Sequence, residues 1–243
     1  MPRFHGYDLS TNHGAVVELG DDGKPAWYGY VTDVQKAVRK GALGCGHHLP
    51  VAKMKKASGR DPDYLHVARL QFWGQLLDHW FQIRRPDFVA IEEFAFGSRT
   101  RGQHDIAAIS GIARYLALTS GSKLRLHNPM DVKLFSAHEG DPEPEQMIGA
   151  VVERWWPGLD EVVAVVKGLT QAGVNTVLGD LADACCLARM AWTEDLLRKG
   201  VIKMRDLAEA EIRAFNRATM ARPVSVLGRE WLVADDRWMP RQT

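Results

Sequence analysis

Acids set among apolar residues carry the chemistry of this sequence. Asp8 closes the strand-like run in "GYDLST", and Glu92 sits beside Glu93 in "FVAIEEFAFGSRT". Asp180 and Asp183 lie three apart in "GDLADACCLA". Helical spacing puts both on one side, and that side continues through Ala184, Leu187, Met190 and Ala191, which are apolar. Burying an unpaired carboxylate costs on the order of several kcal/mol. Each acid has an ordinary explanation. Asp180 suits an N-cap and Asp183 a first helical turn. Asp8 suits a turn with Ser10 and Thr11, and Glu92 an arginine partner. Taken together, acids at two strand ends and on a core-facing helix side all need compensation, and divalent cations supply it. Carboxylates are hard oxygen ligands suited to Mg²⁺ or Mn²⁺. Two such ions about 3.5–4 Å apart can activate a water and stabilise the leaving oxygen of a phosphodiester.

The elements that would position these acids read as an α/β pattern. "RFHGYDLS", "HGAVVELGDDG" and "PAWYGYV" predict three short strands joined by tight turns, an antiparallel meander. On the first strand Phe4, Gly6 and Asp8 share a face. Residues 32–60 are Gly-rich and basic without a sustained period, and read as an inserted loop. A helix follows over 61–86, with Asp61 as N-cap, Pro62 in the first turn and an apolar repeat from Phe72 to Phe81. "DFVAIEEFAF" is apolar on both faces, as in a buried central strand. Phe88, Ala90 and Glu92 share one face and Glu93 takes the other, where a salt bridge, solvent or a subunit contact is expected. Next come a helix stopped by Gly121, a strand "SKLRLHNP" ended by Pro129, and a helix before Pro157. A strong helix over 177–200 carries Asp180 and Asp183, and a last helix opens the tail that holds Trp231 and Trp238. For those tryptophans base stacking is the alternative to plain packing.

Composition narrows the classes. Of 243 residues, 46% are hydrophobic, enough for a sizeable core, and the net charge is +1. The charge is uneven. Lys36, Arg39, Lys40, Lys53, Lys55, Lys56 and Arg60 face only Asp33 between residues 31 and 60. A local basic block suggests a polyanion contact, against the alternative of a solvated loop. Apolar stretches fall short of the ~18–20 residues that span a bilayer, so no membrane partner is expected. Three cysteines, Cys45, Cys185 and Cys186, fit a reducing cytoplasm better than a disulfide framework. "CGHH" at 45–48 has no second ligand pair at zinc-site spacing.

With these residues in view, the chain resembles the RuvC family of Holliday-junction resolvases, in the RNase H-like superfamily. "GYDLSTNHGAVVEL" is similar to the family's first hairpin, and "PDFVAIEEFAF" to its "AIE" strand, which selects Glu92 over Glu93. "HNPMDVKLFSAHEGDPEPEQM" resembles the segment with a proline and then Val-Lys, which puts the family's basic active-site residue at Lys133. "GDLADACCLA" resembles its final Asp-x-x-Asp-Ala helix. The match runs in order over residues 4–192. The family's second lysine has no counterpart in "DPEPEQ", and the added length is similar to that of phage and other divergent members.

The resemblance implies an RNase H-like mixed sheet flanked by helices. It implies a nuclease domain over 1–200 with the basic insert 32–60, and a C-terminal helical extension and tail over 201–243. It implies a Mg²⁺-dependent endonuclease, Mn²⁺ substituting, with two ions on Asp8, Glu92, Asp180 and Asp183 and with Lys133 steadying the scissile phosphate. The products would be 5′-phosphate and 3′-hydroxyl ends. The substrate would be branched DNA, a four-way junction, cut by a homodimer in the cytoplasm, or in a host cytoplasm if phage-encoded. Phe94 or Phe96, the latter nearer the loop, would reach the crossover, against the alternative of a buried phenylalanine, while Arg99, Arg101, Lys53, Lys55 and Lys56 would grip backbone phosphates. Alternatives are a related nuclease acting on flaps, forks or RNA–DNA hybrids, and a non-catalytic branched-DNA binder. "DLSTNHG" also faintly resembles the first phosphate loop of actin/hexokinase-type kinases, but no second Gly-rich loop follows.

Overall fold

The computed structural model describes residues 2–34, 44–59, 61–93, 101–138, 142–164, 171–218 and 223–235. The first three strands, β1 (Phe4–Leu9), β2 (Gly14–Leu19) and β3 (Pro25–Thr32), form the expected antiparallel meander. Strands β5 (Phe88–Glu92) and β6 (Lys123–His127) add in parallel beside β1. Among the described residues the sheet has the order β4-β3-β2-β1-β5-β6, with β2 running against the others. Helices cover both faces of this mixed sheet, as expected of its antiparallel and parallel halves. No described helix is long and apolar enough to cross a membrane.

The basic segment is not simply a loop. It contains β4 (Gly44–His48), parallel to β3, and α1 (Val51–Ser58). Neither shows a clear period, because the Gly-Cys-Gly strand forms through its ladder with β3 and α1 is a short helix packed on α2. Lys53, Lys55 and Lys56 are exposed on α1.

Each sheet face builds its own core. On one face Tyr7, Val16, Val31, Val89 and Ile91 pack against α2 (Pro62–Arg84) and α3 (Arg101–Thr119). Helix α2 starts as expected, with the Asp61 side chain accepting from the backbone N–H of Asp63 at 2.9 Å and Pro62 in the first turn. On the other face Phe4, Ala15, Val17, Phe88 and Ala90 meet α4 (Pro129–Ala137), α5 (Pro144–Arg154), α7 (Gln171–Arg198) and α8 (Glu209–Asn216); α6 (Leu159–Ala164) packs on α7.

Two elements differ from expectation where the acids and Lys133 sit. Pro129 does not end the sixth strand; it opens α4, with Asn128 Oδ1 accepting from the Met130 N–H at 2.9 Å. Helix α7 begins at Gln171, so Asp180 lies well inside it and is no N-cap.

Helix α7 rests directly on β1. A side chain at Gly6 would run into the Ala184 carbonyl oxygen and the Ala188 backbone nitrogen, so glycine permits this approach. Beyond residue 200, Phe215 stacks edge-on against Phe135, and Trp231 packs on Phe88 with the Arg125 guanidinium 4.7 Å from its ring centre. That contact favours the packing reading of Trp231; Trp238 lies outside the described residues. Leu232 pairs with Leu124 through backbone hydrogen bonds of 2.8 and 3.0 Å. Beneath it the buried Glu194 accepts from Arg125 Nε at 3.0 Å and Arg198 Nε at 2.8 Å.

Two substitutions test these contacts. Gly6→Ala should lower stability by about 1–3 kcal/mol or more, read as a lower urea midpoint, because overpacking here displaces helix backbone. Glu194→Gln leaves two arginines short of their counter-charge and should cost about 3–5 kcal/mol in the same measurement.

Candidate active site

The four acids of the sequence come from three elements that end at one rim. Asp8 is near the end of β1, and Glu92 ends β5, the parallel neighbour in which Tyr7 is opposite Ile91. Both side chains follow the face of Phe4, Gly6, Phe88 and Ala90, toward α7. Asp180 and Asp183 stand one turn apart on α7, brought over β1 by the close approach at Gly6. Lys133 comes from α4.

Their fields overlap. Burial, followed by the negative charges of Asp180, Asp183 and Glu92, pushes the Asp8 carboxyl well above the ordinary carboxylate range. Burial, Glu92 and Asp180 push Asp183 up to about 7, with Lys133 acting in the opposite sense. Glu92 is raised by burial and pulled back by Lys133. Asp180 is 7% exposed and raised by burial, against a lowering by His13 and by a hydrogen bond with Asp8. Among the described residues, the cation whose charge acts on Glu92 is a lysine, Lys133.

The acids face one another without closing into a ligand shell. Among the described residues no three His, Cys, Asp or Glu side chains are gathered tightly enough to hold an ion as they stand. The donor set nonetheless fits a hard divalent cation in kind. It consists of carboxylates, each raised by burial and two of them further by neighbouring acids, and a cation would relieve both effects.

His13 was not singled out from the sequence. It lies in the β1–β2 turn, with Nδ1 2.8 and 3.0 Å from the two Asp180 oxygens and Nε2 3.3 Å from Ser10 Oγ. A lone histidine in a turn carries no pattern, and its partner is 167 residues away. Glu93 is half-buried, its N–H donates to the His127 carbonyl at 2.6 Å, and its charge helps raise Asp131. A cleft of about 340 Å³ opens over the strand ends, lined by Asp8, Glu92 and Glu93 and by Ser110, whose buried hydroxyl has no hydrogen-bond partner among the described residues.

The expected DNA contacts divide. Phe94, Phe96 and Arg99 lie outside the described residues, as does the side chain of Arg101, although Arg101 opens α3 at the rim where β5 ends. The α1 lysines follow the end of β4, which runs parallel to β1, so they stand toward the same rim. Three strand spacings, about 14 Å, separate β4 from β1. A larger groove of about 1240 Å³, lined by Pro86, Asp87 and Lys123, lies at the other end of the sheet.

The raised acids have a pH signature. Unfolded, Asp183 ionises near 3.8; folded, it holds its proton to about 7. Its ionisation therefore removes stability as pH rises between those values. Without divalent cations, Asp183→Asn should match wild-type stability near pH 3.5. It should become the more stable protein through pH 7 by a few kcal/mol, then hold that difference. Urea unfolding at a series of pH values measures it; a constant difference contradicts the electrostatic account.

No protein-family model matches the chain. Two curated proteins described as crossover junction endodeoxyribonuclease RuvC, from Mycobacterium ulcerans and Mycobacterium marinum, are each 24% identical to it over 149 residues. Each match covers 61% of this chain and 72% of the relative. Among solved structures, T. thermophilus RuvC in complex with Holliday junction substrate aligns at a TM-score of 0.47 and 18% identity, covering 84% of this chain and 99% of that one. A second Thermus thermophilus RuvC structure aligns at 0.44 and 16%, covering 81% and 95%. The chain resembles the RuvC family at low identity.

Proposed function

We propose that this chain is a metal-dependent, structure-selective DNA endonuclease, and specifically a Holliday-junction resolvase. One observation carries the proposal: four acids from β1, β5 and α7 come to one rim, each raised above the ordinary carboxylate range by burial, Asp8 and Asp183 also by neighbouring acids, with the Lys133 charge acting on Glu92 and Asp183. The similarity to proteins described as crossover junction endodeoxyribonucleases supports a junction-cleaving nuclease.

In this reading Asp8, Glu92, Asp180 and Asp183 hold two Mg²⁺ ions, with Mn²⁺ as substitute. When bound, such a pair supplies an activated water and neutralises the leaving 3′ oxygen, which leaves 5′-phosphate and 3′-hydroxyl ends. The chain's own groups do the rest. The cleft beside Asp8 and Glu92 seats the scissile strand, and Lys133 steadies a non-bridging phosphate oxygen as charge develops. Lys53, Lys55 and Lys56 of α1 grip flanking phosphates, as do Arg99 and Arg101, and Phe96 meets the crossover. These contacts position the junction without reading its sequence. Residues 1–200 form the nuclease domain and 201–243 an extension. Two symmetric nicks call for a C₂ homodimer working in the cytoplasm.

The test is cleavage of a synthetic four-way junction with Mg²⁺, with end mapping and a parallel panel of flap, fork and hybrid substrates. Asp8→Asn and Asp183→Asn should abolish nicking while junction binding persists. Lys133→Ala should slow it roughly 10²–10³-fold. Full activity of either aspartate variant would sink the assignment, and preference for another member of the panel would move it to a sister nuclease.

A further inference from the structure

The β1–β2 turn contributes a histidine that touches one of the four acids. The turn is closed by the Ser10 N–H donating to the His13 carbonyl at 3.1 Å, which fixes the backbone that carries the ring. The imidazole lies between two partners. Nδ1 faces both oxygens of Asp180, at 2.8 and 3.0 Å, and Nε2 faces Ser10 Oγ at 3.3 Å. With Asp180 ionised, Nδ1–H donates to the carboxylate, and Ser10 Oγ donates to Nε2 of a neutral ring or accepts from it when the ring is protonated, so both contacts hold the ring in one orientation. On its other side Asp180 neighbours Asp8, whose carboxyl it helps to raise.

Asp180 thus belongs to two elements at once. Its backbone is on α7, and its side chain is tied back to the turn that continues the strand of Asp8. Once both acids are ionised, as cation ligands must be, an Asp180 carboxylate held only by its own rotamer would be driven away from Asp8 by like charge. A donor fixed on the β1–β2 turn counters this.

We propose that His13 is a positioning residue: by donating Nδ1–H to Asp180 it sets that carboxylate toward Asp8, and so sets how tightly the acids take a divalent cation. This rests on the reading of the four acids as a cation centre. Partners that orient a ligand in this way contribute roughly 10–100-fold to metal affinity.

The test needs no DNA. Mn²⁺ binding to the full-length, metal-free chain is measured from the free-ion electron paramagnetic resonance signal, for wild type and for His13→Ala, His13→Asn, Asp180→Asn and Asp8→Asn. Removing the donor in His13→Ala should weaken binding roughly 10–100-fold. His13→Asn keeps an N–H near the position of Nδ1 and should recover much of the loss, which a merely space-filling role would not predict. In an Asp180→Asn background, His13→Ala should add little. Should the alanine variant fail to fold, His13→Phe against His13→Asn carries the same comparison. Binding by His13→Ala as tight as wild type, alongside a loss in Asp180→Asn, overturns the positioning role while leaving the cation centre intact. Undiminished binding by Asp8→Asn overturns the centre itself, and the role of His13 with it.

Discussion

The packing of α7 on β1 is the constraint on which the rest of the molecule depends. A helix usually stands off a sheet by the bulk of the side chains between them, and at Gly6 that bulk is missing. The helix backbone settles against the strand there, with the small residues Ala184 and Ala188 at the contact. Asp180 and Asp183, a turn further toward the rim, then come down onto Asp8 rather than past it. One missing methyl group converts a packing contact into an electrostatic one.

That electrostatic contact is unfavourable by itself. Four carboxyls share a rim that is backed by two hydrophobic cores; Asp180 is buried, and Asp8, Glu92 and Asp183 are half-buried. The surrounding structure holds the arrangement in place by supplying positive or donor groups from outside the three acid-bearing elements: Lys133 from α4 and His13 from the turn. A fold that keeps acids together in this way raises their carboxyls above the ordinary range, and in the proposed reading that cost is relieved by cations.

Much of this was legible in the sequence, because strand and helix periods are local. Period two put Glu92 with Phe88 and Ala90, and the three-residue spacing put Asp180 and Asp183 together on a core-facing side. What escaped depends on distant contacts. The first turns of α7, through "QAGVNT", contain glycine, asparagine and threonine, and become helical as part of a 28-residue helix that packs across the sheet. Pro129 looked like a strand terminator and serves as the first residue of α4, a role that the same ring geometry allows. Strand β4 exists through its partner β3. His13 has no sequence neighbour that hints at Asp180.

The bridge between Leu232 and Leu124 has a consequence for the chain during its own synthesis. Strand β6 is an edge strand, and its outward backbone groups begin to be satisfied only when a segment more than a hundred residues later arrives to pair and be clamped over Glu194. Until then a growing chain carries all four acids and a complete α7, yet presents an open sheet edge to any neighbouring polypeptide. A segment made after all four acids therefore acts as a cover, and the interval before it docks is when this edge is most exposed to pairing with the wrong strand.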